Sequence, residues 1–139
     1  MNLYSAFALF QTFLTRRNPA YVQFAVTGKC CLDCITCNSN KSRIIEKDLS
    51  LKEVEIISAL LKKMKVLNIV LTGGEIFLRD DIVGIANLFK KQGISVRFQT
   101  NGILFNEKKI DAMIDNGFYD FTISLDSFDS ETQDRLSGK

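Results

Sequence analysis

Short apolar runs alternate four times with segments of helical periodicity along this 139-residue chain. Tyr21–Thr27 (YVQFAVT) is rich in aromatic and β-branched residues and reads as a strand. Val66–Thr72 (VLNIVLT) has the continuous apolar character of a buried parallel strand. Ser95–Thr100 (SVRFQT) and Phe118–Leu125 complete the set. Ser50 opens the first intervening helix: Ser50 with Glu53 has the pattern of a capping box, and Leu49 with Val54 that of a hydrophobic staple. Val54, Ile57, Leu60, Leu61 and Met64 form its expected apolar face. A second helix is expected from about Asp80 to Gln92, with Ile82, Ile85 and Phe89 on one face and Gly93 as its stop. A third runs from near Asn106 to Gly117 and carries Ile110, Met113 and Ile114, and a last helical turn begins near Asp129. Four successive βα units imply a parallel sheet, hence an α/β barrel or a doubly wound sheet. Both architectures bind ligands beyond the C-terminal ends of their strands.

The unusual residues of this chain all fall at those ends. Cys30, Cys31, Cys34 and Cys37 follow the first strand, and the chain has no other cysteine. Gly73, Gly74 and Glu75 follow the second, Thr100, Asn101 and Gly102 stand at the end of the third, and Ser124, Leu125 and Asp126 at the end of the fourth. Chance would scatter them, so one shared site is expected.

Composition removes several alternatives. A hydrophobic fraction of 46% is too high for a disordered chain. A net charge of +2 leaves no basic footprint for nucleic acid. No run of about 18 apolar residues exists, so no membrane span is expected. The aromatic segment before Arg16 and Arg17 has helix spacing at Leu3, Phe7, Phe10 and Leu14. Its basic residues follow the apolar run instead of preceding it, unlike a signal peptide. Residues 1–19 are therefore expected to be an amphipathic helix and linker, with one core domain over residues 20–139.

A disulfide scaffold spreads its cysteines along the chain, whereas these four thiols share one loop. They read as a metal site in a reducing, cytoplasmic compartment. Cys30, Cys34 and Cys37 have the spacing C-x3-C-x2-C, which lets a short loop turn three thiolates to one centre. Iron–sulfur clusters are held by thiolates. Three ligands on a four-iron cluster leave one iron open to a small molecule. The rival is structural zinc, which takes four Cys or His ligands. The chain has no histidine, and the fourth ligand would be Cys31, next to an already bound Cys30. The cluster is the stronger reading, with Cys31 as a spare thiol.

The strings VTGKCCLDCITC, LTGGE, TNG and SLD together resemble the radical S-adenosylmethionine (SAM) superfamily. SLDSFDSETQDRLSGK is similar to the branch holding SPASM-type enzymes and peptide maturases. The resemblance covers about Tyr21 to Lys139 and implies a partial (β/α) barrel. It implies that Cys30, Cys34 and Cys37 hold a 4Fe–4S cluster whose open iron takes the amino and carboxylate groups of SAM. One electron from the cluster then cleaves SAM, and a 5′-deoxyadenosyl radical abstracts hydrogen from a substrate, with a peptide or protein as the candidate. An external donor of the flavodoxin or ferredoxin type supplies the electron. Gly73, Gly74 and Glu75 match the family's glycine-rich motif: glycines admit a close approach of backbone to ligand, and the Glu75 charge suits the SAM ammonium. Thr100 and Ser124 match strand-end positions that bond SAM in relatives, with Asn101 and Asp126 as neighbouring candidates. Thr36 stands where relatives often carry an aromatic ring near the cluster and adenine. Other departures are Cys31 for Asn, Ile76 for Pro, Ser127 for Gly and Gln133 for His. No cluster ligand is lost, and a divergent member is implied.

The family core has six βα units and four are found here. The expectation is an N-terminal part of the core, truncated after the fourth strand, whose edge natural sheets would cover. A half-barrel that pairs with a second chain is the rival. Two other functions compete with the enzyme: a non-catalytic fragment that retains the iron–sulfur site, and a zinc-stabilised interaction module.

Overall fold

A computed structural model describes residues 19–37 and 47–139. The expected N-terminal helix, and residues 38–46 of the loop after the cysteines, lie outside the described residues. The elements are β1 (Tyr21–Thr27), α1 (Leu51–Lys63), β2 (Asn68–Gly73), a 3₁₀ turn (Ile76–Leu78), α2 (Ile82–Lys91), β3 (Ser95–Thr100), α3 (Glu107–Asp115), β4 (Phe121–Ile123) and α4 (Ser130–Ser137). The strands form one parallel sheet in the order β1-β2-β3-β4. This is the expected α/β arrangement of four βα units, and it matches a partial barrel.

Local chemistry sets the helix starts. The Ser50 hydroxyl accepts from the Glu53 amide, and the Glu53 carboxylate accepts from the Ser50 amide at 2.8 Å. These reciprocal bonds satisfy two donors that the helix leaves open. Asn106 and Asp129 cap α3 and α4 in the same sense, accepting from Lys109 N and Thr132 N. Arg79 ties three elements together: it donates to the carbonyls of Val26 and Leu49 and makes a two-pronged pair with Asp81.

The core lies between the sheet and its helices. Ile69 and Leu71 of β2, Ile85, Ala86 and Phe89 of α2 and Phe98 of β3 are fully buried. Phe98 stacks on Phe121 at 5.2 Å and meets Phe118 edge-on at 5.3 Å, so aromatic packing joins β3 to β4.

Several boundaries and faces differ from the periodicity. The α1 face runs through Val54, Ile57, Ser58 and Leu61, while Leu60 and Met64 stand exposed. Ser58 tolerates burial because its hydroxyl donates to the Glu55 carbonyl. Met113 alone of the α3 apolar trio is buried; Ile110 and Ile114 are exposed. Asp80 precedes α2 instead of belonging to it. The fourth strand is three residues, not eight. Gly117 adopts a left-handed φ of 72° and the Phe118 amide returns to the Met113 carbonyl, so these residues still close α3.

Candidate functional site

Each strand delivers its unusual residues to the same end of the sheet. At the end of β1, the buried Thr27 hydroxyl accepts from the Lys29 amide and turns the chain into the cysteine loop. Thr27 was not singled out from sequence; a Thr at a strand end followed by Gly is the available signal. Within the loop, the Cys37 amide donates to the Cys34 carbonyl at 3.0 Å, closing a turn that brings those residues together.

The glycines after β2 make room for this loop. The Gly74 amide donates to the Thr27 carbonyl at 2.9 Å and the Glu75 amide to the Lys29 carbonyl at 2.7 Å. A Cβ on Gly73 would overlap the Thr27 carbonyl oxygen, and Gly73 holds a φ of 143°. A Cβ on Gly74 would overlap the Lys29 carbonyl oxygen and sit 3.1 Å from the Cys30 Cβ. The glycines therefore let the backbone of β2 touch the start of the cysteine loop, a close approach that only glycine allows.

The Glu75 side chain turns inward and is fully buried. Its carboxylate accepts from Phe77 N at 3.0 Å, from Asn101 N at 2.9 Å and from the Thr100 hydroxyl at 2.8 Å. The Thr100 hydroxyl in turn accepts from Gly102 N at 3.0 Å. A buried carboxylate without water must find such donors. Glu75 and Thr100 thus hold each other, and with them the turn after β3. That turn aims the Asn101 side chain at the cysteines: Nδ2 lies 3.4 Å from the Cys31 sulfur and 3.9 Å from the Cys30 sulfur.

Burial pushes the Cys30 thiol above its usual range, and the nearby Cys31, Cys34 and Glu75 push it further; a bond from the Leu32 amide acts against them. Burial also raises Cys34, assisted by Cys37 and Asp126. Asp126 belongs to the turn after β4, where the Ser124 amide donates to the Thr100 carbonyl at 2.9 Å. Thr36 lies in the cysteine loop and is exposed.

Three thiols suit a cluster held at its corners, since each ligand then binds a different iron. Among the described residues, no three His, Cys, Asp or Glu side chains converge closely enough to hold a single metal ion.

The Ile35 amide, between Cys34 and Cys37, donates to the Leu136 carbonyl of α4 at 2.9 Å. Gln133, noted only as a departure from His, accepts from the amides of Asp126 and Ser127.

The family model of the radical SAM superfamily matches residues 24–139. The GTP 3′,8-cyclase of Chlorobaculum tepidum is 35% identical over 133 residues, covering 94% of this chain and 40% of that protein. The mycofactocin maturase MftC of Mycolicibacterium smegmatis is 26% identical over 121 residues, covering 87% of this chain and 31% of that protein. The chain thus spans about a third of the length of such relatives. Streptococcus suis SuiB has the same fold. Its crystal structure with S-adenosylmethionine gives a TM-score of 0.72 at 19% identity, over 96% of this chain and 30% of that one. Its structure with the precursor peptide SuiA gives 0.74 at 20%, over 94% and 30%.

Proposed function

Because the chain belongs to the radical SAM superfamily, we propose that Cys30, Cys34 and Cys37 hold a 4Fe–4S cluster and that SAM binds beside it across the strand ends. When bound, the cluster supplies the electron that cleaves SAM reductively to a 5′-deoxyadenosyl radical, and the protein supplies position and exclusion of side reactions. The observation that carries this reading is the contact of three strand-end segments: the Gly74 backbone lies against Lys29 and Cys30, and Asn101 reaches Cys30 and Cys31.

The residues divide into those that bind and those that place. Gly73 and Gly74 allow the second strand end to meet the cysteine loop, leaving backbone groups of Gly73–Glu75 beside the proposed cofactor. Glu75 and Thr100 fix the turn that carries Asn101. Asn101 offers an amide donor to the sulfurs, and Ser124 and Asp126 close the fourth side. Residues 20–139 act as one core domain in this reading. An external flavodoxin- or ferredoxin-type protein delivers the electron, in a cytoplasmic compartment that keeps the thiols reduced. Among the described residues no helix is long and apolar enough to cross a membrane.

For the substrate, we propose a peptide. Support comes from the maturase relative and from the end-of-chain string that resembles the peptide-maturase branch. The second reading is a guanine nucleotide, supported by the 35% identity to a GTP 3′,8-cyclase.

Anaerobic reconstitution with iron and sulfide tests the site. About four irons per chain are expected, with a sharp drop in Cys34→Ala. Wild-type protein that takes up no iron, or a variant that takes up as much, refutes the ligand set. Release of 5′-deoxyadenosine from SAM under strong reductant then separates an active enzyme from a cluster-binding fragment. Stimulation of that release by candidate peptides or by GTP decides between the two substrates.

A further inference from the structure

β1 and β4 are the two outer strands of the sheet, yet α4 touches the exit loops of both. At its N-terminal half, Gln133 Oε1 accepts from Asp126 N and Ser127 N, both at 2.9 Å, which bolts the helix to the loop after β4. At its C-terminal end, the Leu136 carbonyl accepts from Ile35 N at 2.9 Å, inside the cysteine loop after β1. Gly138 ends the helix in the left-handed region at φ 71°. A Cβ there would overlap the Asp33 carbonyl oxygen and crowd the Asp33 Cα at 3.2 Å. The helix end is therefore pressed onto the backbone between Cys31 and Cys34.

The positive φ alone does not explain this glycine's setting. Gly93 ends α2 in the same conformation, at φ 77°, and a Cβ on Gly93 would meet nothing within 4 Å. Gly93 serves a helix stop only, whereas Gly138 serves a stop and a close approach.

We propose that α4 is a strap that fastens the cysteine loop to the far edge of the sheet, and that Gly138 and Gln133 are its positioning residues. Its consequence for the cluster rests on the ligand reading above; its geometry does not. The strap holds the segment from Asp33 to Ile35, and so sets the spacing of Cys34 relative to Cys30 and Cys37 before any iron arrives.

Amide hydrogen exchange on the iron-free protein tests the geometry directly. In Gly138→Ala, Ile35 should exchange roughly three- to ten-fold faster, as expected for loss of one backbone hydrogen bond. Gly93→Ala carries the same backbone strain and should leave Ile35 unchanged. Gln133→Leu should free the Asp126 and Ser127 amides and also speed Ile35, without touching the helix end. After reconstitution, Gly138→Ala and Gln133→Leu should lose iron to a chelator several-fold faster and alter the electron paramagnetic resonance signal of the reduced cluster, while Gly93→Ala should match wild type. The strap is refuted if Ile35 exchanges alike in wild type, Gly138→Ala and Gln133→Leu, or if Gly93→Ala speeds it as much as Gly138→Ala. Wild-type protein that binds no iron would remove the ligand reading, and the exchange comparison would still decide the strap.

Discussion

Glu75 is buried, and no cation pairs with it among the described residues. Two backbone amides and one hydroxyl take the place of a counter-charge. Removing such an acceptor strands every donor it served, at about 1–3 kcal/mol each. Glu75→Ala should therefore lower stability by about 3 kcal/mol or more, measured by urea unfolding, and Glu75→Gln by less, since one oxygen survives. Gly74 presents a steric version of the same dependence. In Gly74→Ala the added methyl meets the Lys29 carbonyl, which is backbone and cannot swing aside. Strain of about 1–3 kcal/mol is expected, with a parallel drop in iron bound per chain; unchanged stability and iron content would remove the close-approach role. Both residues are legible in the sequence as part of Gly-Gly-Glu, with a charge that suits the SAM ammonium. The inward turn of the carboxylate is not legible there, because the partner hydroxyl lies 25 positions away on another strand.

The helices and strands were largely legible because their signals are local. Ser50 with Glu53 announces a helix start within four residues, and the bonds form as the pattern implies. Where burial decides, periodicity misleads: Leu60 faces solvent and Ser58 does not, since the apolar stripe follows the packing partner more than the residue type. The late start of β4 has a different origin, because the Phe118 amide is spent on the Met113 carbonyl at the end of α3 and not on the ladder. At the start of α2, Arg79 holds the Asp81 carboxyl below its ordinary range, chiefly through their hydrogen bonds. A group lowered in the folded state contributes stability above its unfolded pKa of about 3.9 and loses it as pH falls through the folded value. Wild type should therefore lose stability on acidification below about pH 4 more steeply than Asp81→Asn, in thermal melts across that range. Parallel acid limbs for the two proteins would show that the pair carries no linked stability.

At the scale of the molecule, the proposed site draws on four exit loops, and a ligand that bridges them stabilises whatever state assembles them. Binding to the folded form alone raises apparent stability by mass action. Reconstituted protein should melt at a higher temperature than the iron-free form, and a chelator should reverse the gain. Equal melting temperatures would mean that the cysteine loop does not couple to the rest of the sheet.

By itself the sequence determined the succession of four βα units, the starts of α1, α3 and α4, the cysteine spacing and the placing of the candidates in the segments at the strand ends. Those properties depend on neighbours within a few residues, so they survive without coordinates. Only the tertiary structure decided that Glu75 and Thr100 face each other, that Asn101 meets cysteines some 70 positions away, and that α4 spans from the last strand back to the first loop. These are contacts between segments remote in sequence, and no local periodicity encodes which of them a folded sheet brings within hydrogen-bond reach.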